Sequence, residues 1–176
     1  MKKTDKGFVQ IYTGDGKGKT TAALGLALRA AGAGLQVRIV QFMKGQSYSE
    51  LEALKRFEDL IQIFQTGGLK CIRKEEVTEI DRREAARGLD LAHKFLKDDS
   101  VDILILDEIL VAHWFELVDL GAILEIIELR PDSMELVLTG RKAPSELIEK
   151  ADLVSEIKEV KHYYQQGVPA RKGIES

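Results

Sequence analysis

The sequence predicts a single three-layer α/β/α domain, residues 1–176, built on a mostly parallel sheet. Three observations carry that expectation. An apolar stretch from Phe8 runs straight into a glycine-rich turn, a helical pattern follows, and a second apolar stretch comes after it: strand, helix, strand, one βαβ unit. VDILILDE, Val101 to Glu108, is a continuous apolar run closed by two acids, as expected of a strand covered on both faces of a parallel sheet. Strand and helix patterns then keep alternating toward the C-terminal tail, with no internal repeat and no flexible linker.

Taken in order, Thr20 to Ala31 place Ala23, Leu26, Ala27 and Ala30 on one helical face, small enough for close approach to a sheet. Gly32 and Gly34 break that helix, and Leu35 to Phe42 form a second strand with Val37, Ile39 and Gln41 alternating. Ser49 suits an N-cap with Glu52 three residues on, opening a short helix to Phe57. Leu60 to Gln65 form a third strand, and Thr66 to Lys74 a loop at its carboxyl end. Ile80, Ala85, Leu89, Ala92 and Leu96 recur at helical spacing, so Glu75 to Lys97 form a long surface helix. After the acidic strand come two short helices, the second capped by Asp119 and stopped by Pro131. A strand from Met134 to Leu138, a helix with Pro144 at its start, and a last strand in DLVSEIKEV complete the core. The tail is basic and aromatic.

The turn between the first strand and helix has the makings of a phosphate cradle. Gly14, Gly16 and Gly18 permit positive φ, which points successive backbone N–H groups inward, and the helix opening at Thr20 favours anions at its N-terminus. Lys19 adds a point charge, and the Thr20 hydroxyl can ligate magnesium. The strict P-loop pattern needs glycine at position 13, where this chain has Thr13. An ordinary glycine-rich turn with a solvated lysine pair is the plainer alternative, but the preceding strand and following helix are the context the motif demands. Val101 to Glu108 looks like a Walker B strand, which would set Asp107 or Glu108 beside the cradle to hold magnesium. The fold class is therefore a P-loop NTPase of RecA-like type. Arg141, just past the next strand, belongs to the same sheet edge, because crevices open at the carboxyl ends of parallel strands.

Composition narrows the field. With 31% charged and 44% hydrophobic residues, the chain reads as soluble and globular, neither disordered nor membrane-spanning. A net charge of −3 supplies no field to attract nucleic acid. No apolar run reaches bilayer length, and MKKTDKG leads into a strand, not a signal-peptide core, so the expected compartment is the cytoplasm. Cys71 stands alone, which excludes an internal disulfide and a multi-cysteine zinc site.

Acid/base machinery is sparse: His93, His113 and His162 have no metal-binding spacing, and there is no GxSxG elbow. The chemistry is expected to come from a nucleoside triphosphate with magnesium, which the protein positions and whose charge it neutralises. Lys19 and Thr20 are the catalytic candidates. Gly14, Asp15, Gly16, Lys17, Gly18, Lys19, Thr20, Thr21 and Arg141 are the nucleotide-binding candidates, and Thr20, Asp107 and Glu108 the metal ligands. By themselves these residues define a magnesium-dependent nucleoside-triphosphate site, open to a small kinase or ATPase acting on the terminal phosphate and to a non-catalytic nucleotide-gated binding protein.

TGDGKGKTTAALGLALRAAGAG, VQFMKG, LDE, TGR, ADLVSE, VKH and KGIE, spread in that order from Thr13 to Glu175, resemble the ATP:corrinoid adenosyltransferases of the P-loop class. The resemblance implies that a cobalt(I) corrinoid attacks the ribose 5′-carbon of ATP and expels triphosphate, with no protein base. It implies that Gly16, Gly18, Lys19, Thr20 and Thr21 hold a triphosphate lying reversed relative to ordinary P-loop enzymes. Glu108 would then hold Mg2+ or Mn2+, and Arg29 would lie near the nucleotide. A homodimer and an electron-donating reductase or flavoprotein partner are implied as well. Thr13 is shared by that family. Two features depart from it: an aromatic TGFTW segment, which helps remove the corrinoid's lower ligand, is replaced by TGGLK with Gly68 and Leu69, and a longer N-terminal extension found in some relatives is expected to be missing. Trp114, Phe115 or the pair Tyr163 and Tyr164 could cover an apolar macrocycle, or serve core or dimer packing.

Overall fold

Strands that are apolar on both faces fix the centre of the molecule, and helices cover them. In the computed structural model, which describes residues 6–69 and 72–175, the strands are β1 (Val9–Thr13), β2 (Val37–Phe42), β3 (Ile61–Thr66), β4 (Ile103–Asp107), β5 (Glu135–Thr139) and β6 (Leu153–Glu156). They form one sheet in the order β3-β2-β4-β5-β1-β6, with every pairing parallel. The helices are α1 (Lys19–Gly32), α2 (Ser49–Leu54), α3 (Glu79–Leu96), α4 (Ile109–Trp114), α5 (Leu120–Leu129) and α6 (Ser145–Lys150). β5 lies between β1 and β4, so the strand leading into the glycine loop and the strand ending in acids are not neighbours. This is the RecA-like arrangement of a P-loop NTPase-like fold, and the expected mostly parallel sheet is parallel throughout.

Strand alternation sorts the core into two layers. Val37, Ile39, Ile103, Ile105 and Val137 pack with Ala23, Ala27, Ala30 and Ala31 of α1 on one face. Val40, Phe42, Leu104, Leu106, Leu136 and Leu138 meet α3, α4 and α5 on the other. The alanine face of α1 lets that helix lie close to the sheet, and each fully buried Leu, Ile or Val adds about 1.5–3 kcal/mol before conformational entropy is counted.

Several local expectations are corrected. β2 alternates in face but not in exposure: Val37 and Ile39 join one layer and Val40 and Phe42 the other, and all six of its residues are buried, because β3 and β4 flank it and helices lie on both faces. Ser49 is the first helical residue of α2, with Tyr48 at the N-cap position, and α2 ends at Leu54 in a 3-10 turn, Lys55–Phe57. The long helix begins at Glu79, not Glu75, because the Thr78 hydroxyl accepts from Asp81 N while the Asp81 carboxylate accepts from Thr78 N, closing a capping box. Asp119 occupies the N-cap of α5 without a side-chain hydrogen bond, and Pro144 is the N-cap of α6. Cys71 lies outside the described residues.

Candidate nucleotide site at the carboxyl edge of the sheet

β1 ends at Thr13, and the chain then turns through Gly14 at φ 99° and Gly18 at φ 124°, a left-handed backbone that residues with a Cβ rarely adopt. Gly18 caps α1, which leaves the first N–H groups of the helix directed at the cavity. Lys19 is buried, and its ammonium donates to the carbonyl oxygens of Gly14 and Gly16, 2.7 Å each. Burial pushes that ammonium below its ordinary range, with Glu108 opposing the shift.

One helical step on, Thr20 Oγ1 donates to Asp107 Oδ1 at 2.9 Å, which ties the start of α1 to the end of β4. Asp107 is fully buried and accepts three further hydrogen bonds: from Gln41 Nε2 at 3.0 Å, Lys44 Nζ at 2.8 Å and Thr139 Oγ1 at 2.7 Å. Register explains the first, since Gln41 and Asp107 are partners across β2 and β4. The Lys44 ammonium also donates to Thr20 Oγ1 at 3.2 Å. Burial lowers the affinity of Lys44 for its proton, but attraction to Asp107, the hydrogen bond to it, and the charges of Glu108 and Glu50 outweigh that and raise the value.

Glu108 sits in the left-handed region at φ 62°, and its N–H donates to Thr139 Oγ1 at 2.9 Å. That bend turns the chain from β4 into α4 and brings Glu108 to the cavity wall. Burial, then the neighbouring Asp107 charge, push its carboxyl above the usual range.

The cavity has a volume of about 680 Å3. Asp15 to Thr21 form one wall, Lys44 and Tyr48 to Glu50 another, and Glu108 and Arg141 the floor and rim. Arg141 stands 3.8 Å from Asp15, both well exposed. The remaining wall is the C-terminal tail. Gly16 N donates to Ile157 O at 2.8 Å, Ile157 N donates to Thr13 O at 2.8 Å, and Lys17 Nζ donates to Ile174 O at 2.9 Å. A Cβ on Gly16 would meet the Ile157 carbonyl oxygen at 2.8 Å, so glycine there is what lets the tail lie against the loop. The tail is closed on itself by Tyr163 and Arg171, both bonded to Glu175.

Of the sequence candidates, Asp15, Gly16, Lys17, Gly18, Lys19, Thr20, Thr21, Glu108 and Arg141 line the cavity. Gly14 and Asp107 act from beneath it, through Lys19 and Thr20. Arg29 does not join them: it is exposed near the far end of α1. Gln41, Lys44 and Thr139 were missed. Each is a polar residue at or just past the carboxyl end of a buried strand, which is the signal that could have found them. His162 lines the cavity too, with Nδ1 accepting from Tyr164 N at 3.0 Å. Phe115 packs into the core with Trp114 edge-on to it at 5.4 Å, whereas Trp114, Tyr164 and Leu69 are exposed. No cluster of three or more His, Cys, Asp or Glu side chains suited to a metal occurs among the described residues, and none of their helices is long and apolar enough to cross a membrane.

A P-loop NTPase-like fold with a glycine-walled cavity at the carboxyl edge of its sheet, lined by both lysines and carboxylates, defines the class. Residues 5–176 match the family described as ATP:corrinoid adenosyltransferase BtuR/CobO/CobP, and the chain belongs to that family. It is 35% identical over 173 residues to a corrinoid adenosyltransferase of Pseudomonas aeruginosa, covering 97% of this chain and 84% of the relative. It is 34% identical over 172 residues to the corrinoid adenosyltransferase of Escherichia coli K12, covering 97% and 86%. With the corrinoid adenosyltransferase CobA of Salmonella typhimurium it shares 33% identity over 177 residues, again 97% and 86%.

Proposed function

We propose that this chain transfers the 5′-deoxyadenosyl group of ATP to the cobalt(I) of a corrinoid and releases triphosphate. Family membership supports adenosyl transfer over a kinase, an ATPase or a non-catalytic corrinoid-binding protein. The observation that carries the reading at the site is its chemistry: loop amides, Lys19, Lys17 and Arg141 are assembled for a polyphosphate. The one imidazole of the wall, His162, already has Nδ1 engaged. Cobalt(I) needs no deprotonation to act as a nucleophile. Its electron pair forms the cobalt–carbon bond as the bond from C5′ to oxygen breaks, cobalt ends formally as cobalt(III), and triphosphate leaves with the electrons of the broken bond.

On this reading Gly14 to Gly18, Lys19, Thr20 and Thr21 hold the leaving group, and Lys19 and Thr20 stabilise the charge that develops on it. Thr20, Asp107 and Glu108 present hard oxygen donors that suit Mg2+ or Mn2+, and a cation already shares two of them, the Lys44 ammonium. When bound, the ion supplies charge neutralisation to the phosphates. Asp107 positions Thr20, and Thr139 fixes both acids. Exposed Leu69 and Trp114 offer apolar surface for the corrinoid. Supply of cobalt(I) calls for a reductase or flavoprotein donor, and we place the protein in the cytoplasm as a homodimer on the strength of the family resemblance.

Product analysis tests the reading. Reduced corrinoid is expected to make triphosphate appear from ATP in stoichiometric amount, and release of diphosphate or phosphate in its place would sink the proposal.

A further inference from the structure

Lys44 lies beyond the strand end at β2, in a place where the backbone works to aim it. Met43 before it holds φ 57°, a left-handed conformation unusual for a residue with a side chain. Met43 N donates to Thr66 O at 2.9 Å, and a Cβ on Gly45 would meet the Gly67 carbonyl oxygen at 2.3 Å, so the turn is packed against the end of β3 on both sides of Lys44. The result is an ammonium 2.8 Å from Asp107 Oδ2 and 3.2 Å from Thr20 Oγ1. The P-loop threonine and the acid after the buried strand are the two protein oxygens that a divalent cation shares in P-loop enzymes.

We propose that Lys44 is a built-in occupant of the divalent-cation seat: its ammonium neutralises Asp107 in the nucleotide-free protein, excludes free metal, and yields the seat when metal arrives bound to nucleotide. The displaced ammonium has somewhere to go. Nζ already lies over the Tyr48 ring, 5.6 Å from its centroid, and Tyr48, Glu50 and Lys44 all line the same cavity, so an ammonium that leaves Asp107 keeps the ring contact while it turns toward the phosphates. Lys44 is thereby a positioning residue that couples metal binding to nucleotide binding.

The inference rests on the cavity's being a nucleoside triphosphate site, and not on the fate of the nucleotide. Its test is Mn2+ binding, followed by the paramagnetic signal of the free ion, with no corrinoid present. Nucleotide-free wild-type protein is expected to bind Mn2+ weakly, and Lys44→Met and Lys44→Gln to bind one Mn2+ about tenfold more tightly, within the usual range of coupling between two ligands. Lys44→Arg, which restores a cation, is expected to bind as weakly as wild type. Damage to the fold would weaken binding, the opposite direction. Unchanged or weaker Mn2+ affinity in both neutral variants overturns the proposal, as does tight uptake by nucleotide-free wild type, a measurement that needs no variant to fold. Absence of ATP binding by wild type would overturn the nucleotide reading itself, and is distinguishable because it is measured without metal competition.

Discussion

Lys19 turns back on its own loop, its ammonium 2.7 Å from the carbonyl oxygens of Gly14 and of Gly16. One residue thus both closes the glycine loop and charges it. Lys19→Ala is expected to lower turnover by at least about a hundredfold, the scale of losing one group that stabilises developing negative charge. Far-UV circular dichroism should stay unchanged, because the sheet is assembled without the lysine. Wild-type turnover in this variant would refute the phosphate assignment.

Glu108 carries the clearest dependence on pH. Burial and Asp107 raise its folded value. A raised carboxyl contributes stability below its unfolded value of about 4.3, and that contribution is lost as pH rises through the folded value. Without metal, Glu108→Gln should therefore melt higher than wild type at pH 7, with the gap closing as pH falls toward about 4. The same variant should lose Mn2+ affinity in the presence of ATP, and turnover with it. A variant less stable than wild type at pH 7 and equally active would contradict both assignments.

The tail is closed on itself by Glu175, whose carboxyl is lowered to about 2 by its bonds from Arg171 and Tyr163. A lowered carboxyl keeps its contribution above the unfolded value of about 4.3 and loses it only as pH falls through the folded one, so the tail remains fastened at neutral pH. Glu175→Ala is expected to raise KM for ATP several-fold with little change in kcat, because the tail forms part of the cavity wall. Steady-state kinetics with ATP varied checks it, and an unchanged KM would remove the tail from the site.

Gly88 on α3 is a packing test away from the chemistry. A Cβ there would lie 2.6 Å from Phe42 Cε1 and 2.8 Å from Thr66 Oγ1, and Phe42 is fully buried with no room to yield. Gly88→Ala should cost about 1–3 kcal/mol, the usual penalty of overpacking. Thermal melting should register it as a drop of about 2–4 °C per kcal/mol.

The glycine loop and the acidic strand were legible because each is local: a strand, a turn that needs glycine, and a helix start lie within fourteen consecutive residues, Phe8 to Thr21. The sheet direction was legible for the same reason, since VDILILDE can be apolar throughout only when covered on both faces. Gln41, Lys44 and Thr139 were not, because their role comes from register across β2, β4 and β5, which no single stretch encodes. The tail's place over the loop was equally hidden: Lys17 and Ile174 meet across 157 positions of sequence. Arg29 shows the converse, a residue matched by sequence pattern that stands on exposed helix surface away from the cavity.

The central claim is that the cradle holds a leaving group. The most direct measurement is the absorption spectrum during anaerobic incubation of the protein with ATP, Mg2+ and reduced cobalamin. The cobalt(I) spectrum is expected to give way to that of an alkylated corrinoid, one equivalent for each triphosphate released. Persistence of the cobalt(I) spectrum while ATP is converted to diphosphate would contradict it.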